Sequence, residues 1–241
     1  MEKTILSRFI SKYFLNGNVE SVLWKSNGSL SVKFVDDTKS LVGEVSCKNS
    51  NFPEAEFGIN QTSKLKSLLS VLGEKVDIKV KSKDGKSSSM SISDDNMNIN
   101  YVLSDVTIIP KVPNLKALPS WDFVLNLDDK FMDTFIKASG ALSDVKEFAV
   151  LSNKGKVTFV IGHSNVNSTN IVVHVDAEEV KDTESVVYFS TSHLREILSA
   201  NKEAKGGKMN ISGKGLAHIS FEADNFKTEY FMVSRQDINA L

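Results

Sequence analysis

One helix start is written twice in this chain. TSKLKSLLS at 62–70 returns as TSHLREILS at 191–199, an offset of 129 in a chain of 241 residues. A repeat on that scale constrains architecture more than any local propensity, because each copy must be one folding unit of about half the chain. The offset holds beyond the helix. Met90 and Ile92 fall on Ile219 and Phe221, Met97 on Phe226, and Tyr101-Val102-Leu103 on Tyr230-Phe231-Met232. Upstream, LWKSNGSLSVKFV (23–35) overlays VLSNKGKVTFVIG (150–162), with Gly28 on Gly155 and Phe34 on Ile161. At the start, Ile5, Leu6, Phe9 and Ile10 match Phe131, Met132, Phe135 and Ile136. The offset drifts in one direction, from 126 through 127 to 129, as small loop insertions in a duplicated domain produce.

Each copy has one coarse layout. A helix comes first, near 4–14 and 129–141, with apolar residues at i, i+1, i+4 and i+5. Alternating segments follow as strands, with Leu30, Val32 and Phe34 set off by Ser and Lys beside a Ser-Asn-Gly turn. A second helix begins at Thr62-Ser63 and Thr191-Ser192, residues suited to capping first-turn amides. More alternating strands close the copy. The reading is an α+β fold of two domains, 1–107 and 122–241, joined by a connector at 108–121.

The connector region, VTIIPKVPNLKALPSWD, holds three of the four prolines, too closely spaced for a helix or a central strand. It is also apolar, unlike a loose Gly/Ser tether. Two readings stand open: a linker packed on its own domains, or one that also walls a docking groove.

Charge is distributed more tellingly than it is summed. Net charge is −1, yet each helix sets a basic residue opposite its apolar face. These are Arg8 and Lys12, Lys64 and Lys66, Lys130 and Lys137, and His193 and Arg195. Basic residues gathered on one surface attract phosphate without reading sequence; an ordinary solvated face is the other reading. No aromatic platform accompanies them, so stacking of single-stranded bases is not indicated.

Other chemistry is sparse. Cys47 is the lone cysteine, which excludes an internal disulfide. The four histidines lack metal-ligand spacing, and His174 and His218 sit within strand-like alternation. KGGKMNISGKG (205–215) fails as a phosphate loop, since Gly215 stands where Ser or Thr would bind magnesium; a hairpin accounts for it better. Asp36-Asp37, Asp94-Asp95 and Asp128-Asp129 fall at turns or a helix start, where carboxylates cap amides. No nucleophile–base pair, metal site or cofactor motif emerges, so no enzyme activity, metal or cofactor is expected. The charged N-terminal stretch MEKTILSRFISKYF resembles neither a signal peptide nor a membrane span, and a cytoplasmic protein is expected.

Two copies of helix–strands–helix–strands, a proline-containing apolar connector and basic residues opposite buried helix faces resemble the sliding-clamp family of DNA polymerase processivity factors. The two-domain length is similar to proliferating cell nuclear antigen and to T-even-type phage clamps. TSHLREILSANKEAKGGKMNISGKGLAHISFEADNFKTEYFMV is similar in spacing to the phage members; for a phage-encoded chain the location is the host cytoplasm. The resemblance implies a homotrimeric ring, closed head to tail, with antiparallel sheets outside and helices lining a channel. It further implies sequence-independent contact with double-stranded DNA through Arg8, Lys12, Lys64, Lys66, Lys130, Lys137 and Arg195. The implied partners are a DNA polymerase and a clamp-loader ATPase, with no membrane. Partner peptides would sit in a groove of Ile108, Ile109, Val112, Leu115, Leu118, Tyr230 and Met232. The two aspartates of helix 129–141, Asp129 and Asp133, depart from a strongly basic inner helix. A duplicated structural or adaptor protein, such as a virion component, is the alternative.

Overall fold

The computed structural model describes residues 2–113, 118–153, 155–164, 166, 168–181 and 186–234. The chain divides into two compact units. The first is Met1–Pro113 with Ala223–Thr228, and the second is Asn114–Glu222 with Glu229–Leu241.

The first unit opens with α1 (Lys3–Phe14), followed by strands β1 (Val22–Ser26), β2 (Ser29–Val35), β3 (Leu41–Lys48) and β4 (Ala55–Ile59). These strands are ordered β4-β1-β2-β3 and are antiparallel throughout. Helix α2 (Thr62–Ser70) then leads into a separate sheet, β5 (Asp77–Lys83), β6 (Lys86–Ser93) and β7 (Asn98–Val102). Alternation sets the faces: Leu30, Val32 and Phe34 point inward from β2, while Ser31 and Lys33 point away. The core is aromatic. Phe9 and Trp24 meet edge to face at 5.1 Å, and Phe57 and Phe52 pack on the same indole. Trp24 Nε1 donates to the Tyr13 hydroxyl at 3.2 Å, which in turn lies 3.4 Å from Thr62 Oγ1. Burial holds the Tyr13 phenol far above its ordinary pKa, so it stays a neutral hydroxyl.

The second unit repeats this order with an additional strand. β8 (Phe123–Asp128) precedes α3 (Asp129–Ala141), β9 (Glu147–Asn153), β10 (Lys156–Ile161), β11 (Ile171–Val180) and β12 (Val187–Ser190). Helix α4 (Thr191–Ala200), β13 (Gly206–Ser212), β14 (Leu216–Ala223) and the latter part of β15 (Phe226–Val233) complete it. β8 pairs with both β11 and β13, so the two sheets of this unit become one. In the first unit Glu2 makes only an isolated bridge to Lys75, and its sheets stay separate. The second core is a phenylalanine cluster, with Phe148 and Phe159 4.9 Å apart and Phe135 and Phe189 beside them.

Pairing registers locate the drift in the repeat. The β1–β2 hairpin closes on Ser26–Leu30 and the β9–β10 hairpin on Asn153–Lys156, one residue tighter. Trp24, paired with Val32, therefore corresponds to Val150, paired with Phe159. The overlay of Trp24 on Leu151 is one residue out on the strand before the turn.

Helix starts also differ from expectation. Thr62 and Ser63 do not cap α2; the Ser63 amide donates to Glu20 Oε2 at 3.0 Å, and Thr62 Oγ1 donates to the Glu20 carbonyl at 2.8 Å. In α4 the cap is Ser190, one residue earlier, whose Oγ accepts from His193 N. The acidic turns behave as read. Asp128 Oδ1 caps α3 at Phe131 N, Asp36 accepts from Leu41 N, and Asp94 accepts from Gly73, Asn96 and Met97.

Candidate nucleic-acid interface and connector groove

Lys64 and Lys66 stand exposed on α2, whose Leu65 and Leu69 are buried. The Lys66 ammonium lies 5.3 Å from the Phe14 ring, which leans it toward α1. On α3, Lys130 and Lys137 are exposed, over a buried face of Phe131, Met132, Phe135, Ala138 and Ser139. Asp133 on the same helix pairs with Lys202 at 2.9 Å, which draws its carboxyl pKa below the usual range and offsets its charge. Arg195 is half-buried and shares Nε with Glu196 at 3.0 Å.

Three basic residues lie elsewhere than the sequence placed them. Lys12 is 1% exposed, its ammonium 5.3 Å from the Phe226 ring. The reason is angular: on a regular helix Lys12 lies within about 20° of Ile5, at the margin of the apolar arc. Its counterpart at offset 126 is the buried Ala138. Arg8 is half-buried, over Phe226 at 4.8 Å and paired with Asp224 at 2.9 Å. His193 is buried, so the basic pair read on α4 reduces to Arg195.

The connector side is built from the outer face of the first sheet. Lys25 pairs with Glu56 across β1–β4 and Lys33 with Glu44 across β2–β3, both at 3.3 Å, with Leu23 and Ser31 on the same floor. Over this floor run Val106, Ile109, Pro110, Lys111 and Val112, enclosing a groove of about 630 Å³. The connector is anchored by reciprocal backbone hydrogen bonds between Gly58 and Ser104, and by Asp105, which accepts from Thr107 N and Lys86 Nζ.

Of the groove residues read from sequence, Ile109 and Val112 line this groove, while Ile108 is 60% exposed and is not part of its lining. Leu118 is exposed, and Leu115 lies outside the described residues. Tyr230 and Met232 are corrected: both are buried core residues. β15 alternates strictly, so Phe226, Thr228, Tyr230 and Met232 share the inward face, and Phe231 and Val233 take the other. The Tyr230 hydroxyl is committed to Asn201 Nδ2 at 2.9 Å, behind the end of α4.

Sequence reasoning passed over the floor of the groove, where the signal was the alternation of Leu23, Lys25, Ser31 and Lys33 on outward strand positions. It also passed over Lys146, which aligns with Glu20 at offset 126. Among the described residues, no cluster of three or more His, Cys, Asp or Glu could hold a metal ion, and no helix is long and apolar enough to cross a membrane.

No family model matches the chain, and no curated protein matches it in sequence. Solved structures do match. The proliferating cellular nuclear antigen of Entamoeba histolytica is similar at a TM-score of 0.75 and 16% identity, covering 98% of this chain and 96% of that one. The A. fulgidus PCNA, solved with the C-terminal region of FEN-1 bound, is similar at a TM-score of 0.74 and 16% identity, covering 98% and 97%. Duplicated units, antiparallel sheets and paired helices thus make up the DNA sliding-clamp fold over nearly the whole chain.

Proposed function

We propose that this protein is a sliding clamp that encircles duplex DNA and tethers a replicative polymerase as a processivity factor. The observation that carries the reading is the sliding-clamp fold over 98% of the chain. Basic side chains on the helix surfaces turned from the core accompany it. Lys64, Lys66, Lys130 and Lys137 are the DNA-facing residues, with Arg195 in a lesser, partly neutralised role. Exposed lysines screened by salt give weak, mobile attraction to phosphates, which suits a protein held on DNA by topology rather than by affinity.

The active form is a homotrimeric ring opened by a clamp-loader ATPase. Among the described residues β7 is an edge strand paired on one side only, and its Val102 is 72% exposed. An unprotected edge of this kind is covered by strand pairing in a head-to-tail assembly that closes. Polymerase and other replication proteins dock through short segments in the connector groove, where Ile109, Pro110 and Val112 supply apolar contact and the paired lysines and glutamates of the floor supply polar contact. The protein acts as a scaffold, with no catalytic residue of its own. Nothing in the fold favours the virion alternative.

The test is primer extension on a primed circular template with the cognate polymerase and loader. Product length rises in the presence of the protein, and the Lys64→Glu/Lys66→Glu variant loses the effect while its oligomer persists. Product length indifferent to the protein at every salt concentration refutes the reading.

A further inference from the structure

The two copies treat the start of their second helix in opposite ways. In the first, the Thr62 amide donates to the Glu20 carbonyl, and the Glu20 carboxylate caps the Ser63 amide at 3.0 Å. In the second, the Thr191 amide makes the same bond to the Lys146 carbonyl at 2.9 Å. Lys146 therefore stands where Glu20 stands, and a basic residue replaces an acidic one beside the start of the helix. No acidic residue occupies the first turn of α4.

A second exchange lies beside it. Tyr13, whose hydroxyl reaches Thr62 in the first copy, corresponds at offset 126 to Ser139, whose Oγ turns to the Ile136 carbonyl at 3.0 Å. Beside Ser139 lies a cavity of about 350 Å³ lined by Ser139, Lys146, Ser190, Thr191, Ser192 and Arg195, among others. Thr191 is 2% exposed, and its Oγ1 is buried without a hydrogen-bond partner among the described residues, whereas Thr62 Oγ1 is satisfied. A buried hydroxyl left unpaired is costly, and such a group beside a cavity marks a place for a polar ligand atom.

From the helix start, the paired exchange and the unmatched hydroxyl, we propose that the N-terminus of α4 holds a phosphate-type oxyanion. The ligand oxygens would accept from Thr191 Oγ1 and the Ser192 amide, since the Thr191 and His193 amides already donate to the Lys146 carbonyl and Ser190 Oγ, with Lys146 providing counter-charge and Arg195 sharing its charge with Glu196. The same chemistry is presented by a backbone phosphodiester of DNA and by free phosphate.

The test is an amide NMR titration of the full chain with inorganic phosphate at constant ionic strength, and in parallel with a short duplex. Saturable shifts at Ser192, His193 and Leu194 are expected. Lys146→Glu, which restores the carboxylate of the first copy, weakens the response about tenfold or more. Thr191→Val weakens it less. Response to the duplex identifies the phosphodiester as the source, and response to phosphate alone identifies the free ion. A linear, unsaturating drift with both ligands, or an unchanged response in Lys146→Glu and Thr191→Val alike, overturns the proposal. The phosphate arm requires neither ring nor polymerase, so its outcome is independent of the clamp reading.

Discussion

Ile109 lies directly on Gly58: a Cβ built at that glycine would sit 2.8 Å from Ile109 Cγ1 and 2.9 Å from the Ser104 carbonyl oxygen. The start of the connector is seated on β4 because β4 has no side chain there. Gly58→Ala is expected to lift residues 104–109 and to cost about 1–3 kcal/mol, as overpacking does. Urea unfolding gives the cost, and faster hydrogen exchange at the Ser104 amide reports the lifting. Unchanged exchange would mean that the connector is held from elsewhere.

Lys12 and Lys64 set a structural charge against one proposed to face DNA. Lys64→Glu/Lys66→Glu on the exposed side of α2 is expected to weaken association with duplex DNA, while stability stays within about 0.5 kcal/mol. Lys12→Glu places a carboxylate in a buried position against Phe226 and is expected to cost about 3 kcal/mol or more. Thermal melts and duplex binding on both variants check the split; equal destabilisation by the two would remove it.

Asp105 anchors the connector electrostatically. The Thr107 amide and hydroxyl, with the Lys86 ammonium, lower its pKa to about 2. A depressed carboxylate contributes its stabilisation fully above the unfolded-state value and loses it as pH falls through the folded one. The cap should therefore persist through mild acid and fail near pH 2. Carboxyl NMR titration checks this, and a midpoint at an ordinary aspartate value would show the cap to be unformed.

Thr191 gives a stability prediction of opposite sign to most core changes. Thr191→Val removes an unpartnered buried hydroxyl, so in the absence of phosphate it should be neutral or stabilising by up to about 1 kcal/mol. A loss above that range in urea unfolding would mean that the hydroxyl is satisfied in solution.

Much of this molecule was legible in its sequence, because a duplicated pattern is read twice. Phe9 and Phe135, Met90 and Ile219, and Tyr101 and Tyr230 occupy matching positions in matching elements. Legibility failed where the third dimension decides. Lys12 looks polar by type, but it sits at the margin of an apolar arc and folds over Phe226, far away in sequence. The clamp resemblance puts Tyr230 and Met232 in a groove beside the C-terminal strand, whereas the period-two rule sets them on the core face with Phe226 and Thr228. The cap of α2 comes from Glu20, 43 residues before Ser63, and no local capping rule reaches that far.

Closure of the protein around DNA is tested by particle imaging of the purified protein by electron microscopy. A closed three-subunit ring of six similar domains, with a hole wide enough for duplex DNA, is expected. Particles that remain single subunits or open chains at every concentration would contradict it.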